Sequence, residues 1–295
     1  MNSKLEFAGC SSDFTDSRYS LLGVPYDRTS SFRLGSAKAP DSIRRASYCF
    51  EPYLLEYDVS LNDIALHDQG NITSIEDFSV LEKELRKEVK KMVDHEVFPI
   101  LIGGEHSISP VVVSALKEEY DDLDVLILDA HLDFRDEYEG LKHSHATVTK
   151  RISESVGLEK TLVYGVRSAA KNYPDEVSPT ILTSKEIEED SSDEKKGRPL
   201  LKEELKKISR PTYLSIDMDV VDPAYAPGVG NPEPFGLEPR TVKELIYELN
   251  PYIVGMDVVE VCPKYDSSGI TSNLSARLVY DMIGARESRK LTEDW

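Results

Sequence analysis

Cysteine is scarce in this chain, with three among 295 residues. Cys10, Cys49 and Cys262 are few, odd in number and far apart. That spacing argues against a disulfide framework or a structural zinc cluster and suits a reducing cytoplasm. No run of eighteen apolar residues occurs and no charged–apolar–small leader is present, so neither a membrane span nor a signal peptide is expected. Positive charge is also short, at 35 Lys and Arg against 54 Asp and Glu, for a formal net charge of −19. Nucleic acid, whose phosphates need Lys and Arg, is therefore not an expected partner. Small cations are weakly favoured, because most of the acid is solvated surface. A linker rich in Gly, Ser or Pro is missing too. The most polar stretch, Glu186 to Lys196, reads as an exposed insertion too short to separate domains. One domain over residues 1–295 is the expectation, long enough for a sizeable core.

Against these absences stands one dense stretch. Residues 123–128 (LDVLIL) read as a buried strand, and Asp129, His131 and Asp133 follow at every second position. Alternate side chains on an extended backbone point to one side, so the three can converge. Carboxylate and imidazole together suit a divalent cation. A second apolar strand, TYLSIDMD over residues 212–219, ends in Asp217 and Asp219 with the same spacing. Two such strand ends suggest a site for two ions.

The remainder alternates strand and helix. Ser20 to Val24 reads as a first strand, followed by a long loop over residues 25–35 and a helix opened by Ala39-Pro40-Asp41. Glu76 to His95 carries apolar residues at Phe78, Leu81, Leu85, Val89, Met92 and Val93, the period of an amphipathic packing helix. Further strands are expected at Pro99 to Ile102, Lys160 to Val166, Thr180 to Leu182 and Ile253 to Val261. Helices are expected at Leu200 to Ile208, Pro239 to Leu249 and Asn273 to Ile283. Such alternation means an α/β fold, a three-layer α/β/α sandwich on a mostly parallel central sheet. His106, Asp129, His131, Asp133, Asp217, Asp219 and Glu260 then all fall at the C-terminal ends of strands, where open α/β sheets bind ligands.

Gly103-Gly104-Glu105-His106-Ser107, Asp129 to Asp133, Ser144-His145-Ala146-Thr147 and Ser215 to Asp219 with Asp222-Pro223-Ala224 resemble the signatures of the ureohydrolases, the arginases and agmatinases. Gly23 to Asp27 resembles that family's first motif and Gly255 to Pro263 its last, so the resemblance runs over about residues 20 to 285. It implies the arginase-like fold and two Mn²⁺ per chain. One ion is implied on His106, Asp129, Asp133 and Asp217, the other on His131, Asp129, Asp217 and Asp219, with Asp129 and Asp217 bridging. Four carboxylates balance two divalent ions, and a mostly oxygen donor set suits Mn²⁺ better than Zn²⁺. The implied reaction is hydrolysis of a guanidinium group to urea and an amine. Glu260 is implied to orient that group and His145 to shuttle protons, with Asp133 accepting a hydrogen bond beside them. The family also implies a homo-oligomer, a trimer or hexamer.

The substrate's far end is expected against residues 134–142. Arginases use an Asn and a Ser there, and neither occurs, while Asp136, Glu137 and Glu139 suit the free amine of agmatine. Arg135 would suit a guanidino acid such as guanidinobutyrate. Glu105 replaces a more usual Asp, and Asn231 a more usual Thr. His143 is a weaker candidate than His145 for the shuttle. Two other classes remain. A zinc deacetylase shares the general fold but uses one ion and needs no His106. An inactive guanidine- or polyamine-binding paralogue would lack a ligand or the shuttle His.

Overall fold

Aliphatic runs without alternation are what a strand covered on both faces requires, and this chain has several. The computed structural model describes residues 5–10, 12–170, 178–189 and 199–293. Eight strands form one sheet: β1 (Tyr19–Val24), β4 (Leu66–Asn71), β5 (Phe98–Gly103), β6 (Asp124–Leu128), β7 (Thr161–Val166), β8 (Thr180–Thr183), β9 (Thr212–Asp217) and β10 (Ile253–Val259). Their order is β4-β1-β5-β10-β9-β6-β7-β8, and every pairing is parallel. β2 (Tyr53–Leu54) and β3 (Val59–Ser60) make a separate antiparallel pair.

Successive strand residues feed opposite faces. Ile100, Ile102, Leu126, Leu128, Leu214 and Ile216 pack into one core with α1 (Ala39–Ser47), α7 (Pro239–Leu249) and α8 (Ile270–Glu293). Leu101, Val125, Ile127 and Tyr213 pack into the other with α2 (Phe78–Asp94), α3 (Ser109–Leu116) and α4 (Val148–Val156). Helix, sheet and helix are the three layers expected. α2 starts where Asp77 accepts a hydrogen bond from the Ser79 amide, and it buries Leu81, Leu85, Val89 and Met92, the stripe its period predicts.

The expected boundaries shift in places. α8 runs well past Ile283. Residues 184–189 form α5 (Ser184–Glu189), so the expected insertion begins as a helix with Ile187 buried; residues 190–196 lie outside the described residues. α6 (Pro199–Leu205) ends before Ile208. β4 and α4 had no strong signal: β4 reads LHDQGN, poor strand formers. Tertiary pairing makes β4 a strand. Its Asp68 and Asn71 hold the fully buried guanidinium of Arg44 at 2.7 and 2.6 Å.

A parallel sheet gathers all its strand C-termini on one edge. The four central strands, β5, β10, β9 and β6, each end at or just before a residue marked by the sequence.

Candidate metal and catalytic site

β5 passes through Gly103-Gly104 into Glu105 and His106. A Cβ on Gly104 would lie 1.9 Å from the carbonyl oxygen of Tyr26, so the close approach that two glycines suggested is to the loop after β1. The turn sets His106, fully buried, at the start of the segment leading into α3. Its Nδ1 lies 3.2 Å from Asp129 Oδ2 and 3.2 Å from Asp217 Oδ2. On the ring's other side Nε2 meets Ser215 Oγ at 3.0 Å, and Ser215 donates to Asp257 at 2.7 Å. Asp257 also accepts from Ser109 and Tyr213, so this buried acid fixes the imidazole's orientation as well as the packing.

Asp129 leaves β6 with both oxygens turned to the site. His131 follows, its Nδ1 2.9 Å from Asp219 Oδ2 and 3.7 Å from Asp129 Oδ1. Two sets of ligand atoms result, each within 4.8 Å: His106, Asp129 and Asp217, and Asp129, His131 and Asp219. Asp129 belongs to both, Asp217 to the first alone, and Asp133 to neither. The backbone is extended through only part of the two acidic stretches. Asp133 has φ +47°, and β9 ends at Asp217, with Met218–Val220 coiled into a 3-10 turn. Left-handed backbone at a non-glycine residue costs energy and clusters at functional sites. Of the seven non-glycine residues with positive φ among the described residues, Glu260 is the other one named at this site, at φ +63°, with its Oε1 accepting from the His106 amide at 2.8 Å.

These groups border a cavity of about 420 Å³ that includes His131, Asp133, His145, Asp217, Asp219 and Glu260. Burial and the charge of neighbouring acids hold the Asp217, Asp133 and Glu260 carboxyls well above the usual range, and raise Asp129. Burial works against protonation of His131, but Asp219 outweighs it and pulls the imidazole up to about 11. His106 is likewise raised, its burial overcome by Asp129 and Asp217. The protein atoms alone thus crowd like charges that resist ionisation. His106 Nδ1 and Asp129 Oδ2 are buried with no hydrogen-bond partner. Buried polar atoms without partners are rare in native proteins, and these two face the same point. A donor set of carboxylates and imidazoles around such orphans fits divalent cations.

His145 stands at the cavity wall, 8% exposed, while His143 is exposed and stacks on Phe78. Burial, and then the charges of His131 and His106, push His145 down to about 4. One expectation is overturned. Asp136, Glu137 and Glu139 are exposed and none borders the cavity; Asp136 is paired with Arg151 at 2.9 Å. The loop after Asp133 turns those side chains out to solvent. The charged groups that border the cavity outside the motif residues are Arg135, whose guanidinium lies 5.5 Å from the Tyr138 ring, and Glu233, 3.5 Å from His131 Nε2.

A model of the arginase family matches residues 17–284. The chain belongs to the arginase family. The solved agmatine ureohydrolase of Thermoplasma volcanium superposes with a TM-score of 0.91 at 37% identity, covering 99% of this chain and 97% of that one. An agmatinase of Bacillus cereus is 33% identical over 280 residues, 92% of each chain. The mitochondrial arginase 1 of Arabidopsis thaliana is 37% identical over 275 residues, 89% of this chain and 79% of that protein. This arginase-family chain is thus a hydrolase of the ureohydrolase class. Among the described residues no helix is long and apolar enough to cross a membrane.

Three contributors escaped the sequence reading of this arginase-family site. Thr29 and Ser31 reach His145 from the loop after β1, and Glu233 reaches the cavity from the loop before α7. The loop was legible as long and polar, but its proximity to residue 145 depends on β1 lying beside β5. Glu233 sits two residues after Asn231, which also borders the cavity and which the sequence did single out.

Proposed function

We propose that the chain hydrolyses agmatine to putrescine and urea, with His106, Asp129, Asp133 and Asp217 holding one Mn²⁺ and His131, Asp129, Asp217 and Asp219 the other. When bound, two such ions supply Lewis acidity that lowers the pKa of a water towards neutrality. The chain's own residues do the rest. Glu260 orients the substrate guanidinium, its carboxylate fixed by the His106 amide at 2.8 Å. His145, whose burial favours the neutral ring, takes a proton of the attacking water at its ring nitrogen and delivers it to the departing amine nitrogen. Glu233 offers a carboxylate to the amine at the substrate's far end.

The observation that carries this reading is Glu233. It is an acid at the cavity wall that belongs to neither ligand set, although it lies 3.5 Å from Nε2 of His131, in a chain similar over nearly its whole length to an agmatine ureohydrolase. The α-carboxylate of arginine would meet that same acid. A guanidino-acid hydrolase is the second reading, favoured by Arg135 at the cavity wall. A urea-release assay with added Mn²⁺ on agmatine, arginine, guanidinobutyrate and guanidinopropionate decides between them. Agmatine is expected to turn over fastest. Guanidinobutyrate turning over faster, with loss of that activity in Arg135→Ala, overturns the agmatine reading.

A further inference from the structure

The loop after β1 carries three consecutive hydroxyls, and all three are engaged. Thr29 Oγ1 donates to Glu105 Oε1 at 2.8 Å, and the Thr29 amide donates to Glu105 Oε2 at 2.6 Å. The Ser30 amide reaches the same Oε2 at 3.1 Å, and Ser30 Oγ reaches it at 3.4 Å while donating to Asp27 at 2.5 Å. Ser107 Oγ donates to Glu105 Oε1 at 2.7 Å. Glu105, fully buried, therefore spends its carboxylate as an acceptor for donors of this loop and of its own turn. A shorter acid would need the loop to move inward to keep these contacts.

Thr29 also faces His145. Its Oγ1 accepts from the His145 amide at 3.0 Å and lies 3.3 Å from Nδ1 of the ring. A hydroxyl has one proton, and the one on Thr29 is committed to Glu105. Towards His145 the oxygen can only accept, so its contact with Nδ1 is a hydrogen bond only when Nδ1 brings the hydrogen. Ser144 Oγ, also 3.3 Å from Nδ1, can accept from that same N–H; were it to donate instead, the Thr29 contact would be lost and Ser31 Oγ would accept from Nε2. With Nδ1 protonated, the lone pair of the neutral ring is on Nε2, and Ser31 Oγ lies 3.3 Å from it. Which nitrogen of a histidine carries the proton is set by the partner of the other.

We infer that Glu105, acting through Thr29, is a positioning residue that fixes His145 in its Nδ1–H tautomer and leaves Nε2 to exchange protons with substrate. The tautomer rests on the Thr29 hydroxyl being held as a donor to Glu105; its catalytic consequence rests on the proposed role of His145.

The test uses the full-length chain labelled with ¹⁵N-histidine and treated with chelator, because Mn²⁺ broadens nearby resonances. The His145 signals are assigned by their loss in His145→Asn. In the native chain Nδ1 of His145 is expected as the protonated nitrogen. Thr29→Val, which keeps shape and removes the hydroxyl, is expected to shift the ring towards the Nε2–H form, as is Glu105→Gln. In the Mn²⁺-loaded enzyme, Thr29→Val should lower kcat by about tenfold or more with KM and metal content little changed, the scale seen when partners orienting an imidazole are removed. Thr29→Ser should recover most of that loss. A native Nε2–H ring, or an unchanged tautomer in Thr29→Val, overturns the inference. So does a fall in KM affinity or metal content that accounts for the lost activity. Absence of turnover on every guanidine would overturn the proposed function and leave the tautomer result standing.

Discussion

His106 Nδ1 and Asp129 Oδ2 face each other at 3.2 Å, both buried and neither hydrogen-bonded. They come from the ends of β5 and β6, which are not neighbours; β10 and β9 lie between them in the sheet. Two polar atoms brought from that far and left without partners are arranged for something placed between them.

Metal content is the first consequence. Asp129 belongs to both ligand sets, so Asp129→Ala should lose both Mn²⁺ ions, whereas His131→Ala should lose chiefly one. Atomic absorption on the purified variants reads this directly. One ion retained in Asp129→Ala would refute the shared position.

Proton release is the second. His131 is raised to about 11 and His106 well above 6.5, because Asp129, Asp217 and Asp219 outweigh the burial of the rings. Raised imidazoles hold protons at pH 7, and an ion must displace them to bind nitrogen. Titration calorimetry in buffers of different ionisation enthalpy should show net proton release on loading with Mn²⁺. The sign requires apparent affinity to increase as pH rises from 6 to 8. Affinity that is flat or falls over that range contradicts the assignment.

The third concerns the two histidines of the loop before α4. His145→Asn should lower kcat by roughly 10²–10⁴-fold with metal content intact, the usual contribution of general acid–base catalysis. His143→Asn, altering an exposed ring stacked on Phe78, should change kcat little. Reversed effects would exclude His145 as the proton carrier.

Specificity supplies the fourth. Glu233→Gln should raise KM for agmatine about tenfold, since a hydrogen bond to a charged group is worth about 1.5 kcal/mol. Arginine, lacking a free far end of single positive charge, should be a poorer substrate than agmatine by about 10² in kcat/KM, a difference of roughly 3 kcal/mol. Steady-state kinetics on both substrates, with metal content measured in parallel, checks this. Equal kcat/KM values for the two would remove Glu233 from the specificity argument.

Residues 123–128 and 212–217 were readable as strands because burial on both faces leaves unbroken aliphatic runs, and α2 because its apolar residues repeat every turn. The site residues were readable for a related reason: ligands at the ends of such strands stand out as isolated Asp and His. β4 was not readable, since its polar residues are held by Arg44 and by pairing with β1 rather than by propensity. Asp136, Glu137 and Glu139 misled because sequence places them next to Asp133 and says nothing of the turn that faces them outward. Thr29 was invisible as a partner of His145, since 116 residues separate them.

β10, the last strand of the sheet in chain order, lies between β5 and β9. Without it, β4-β1-β5 and β9-β6-β7-β8 would share no pairing, and nothing in the sheet would fix the distance from His106 to Asp129 or Asp217. Contacts of such high sequence separation form late, after the cost of closing long loops has been met. Competence to hold both ions is thus a property of the whole sheet, since His106 comes from one half of it and the other residues of the two ligand sets from the other half.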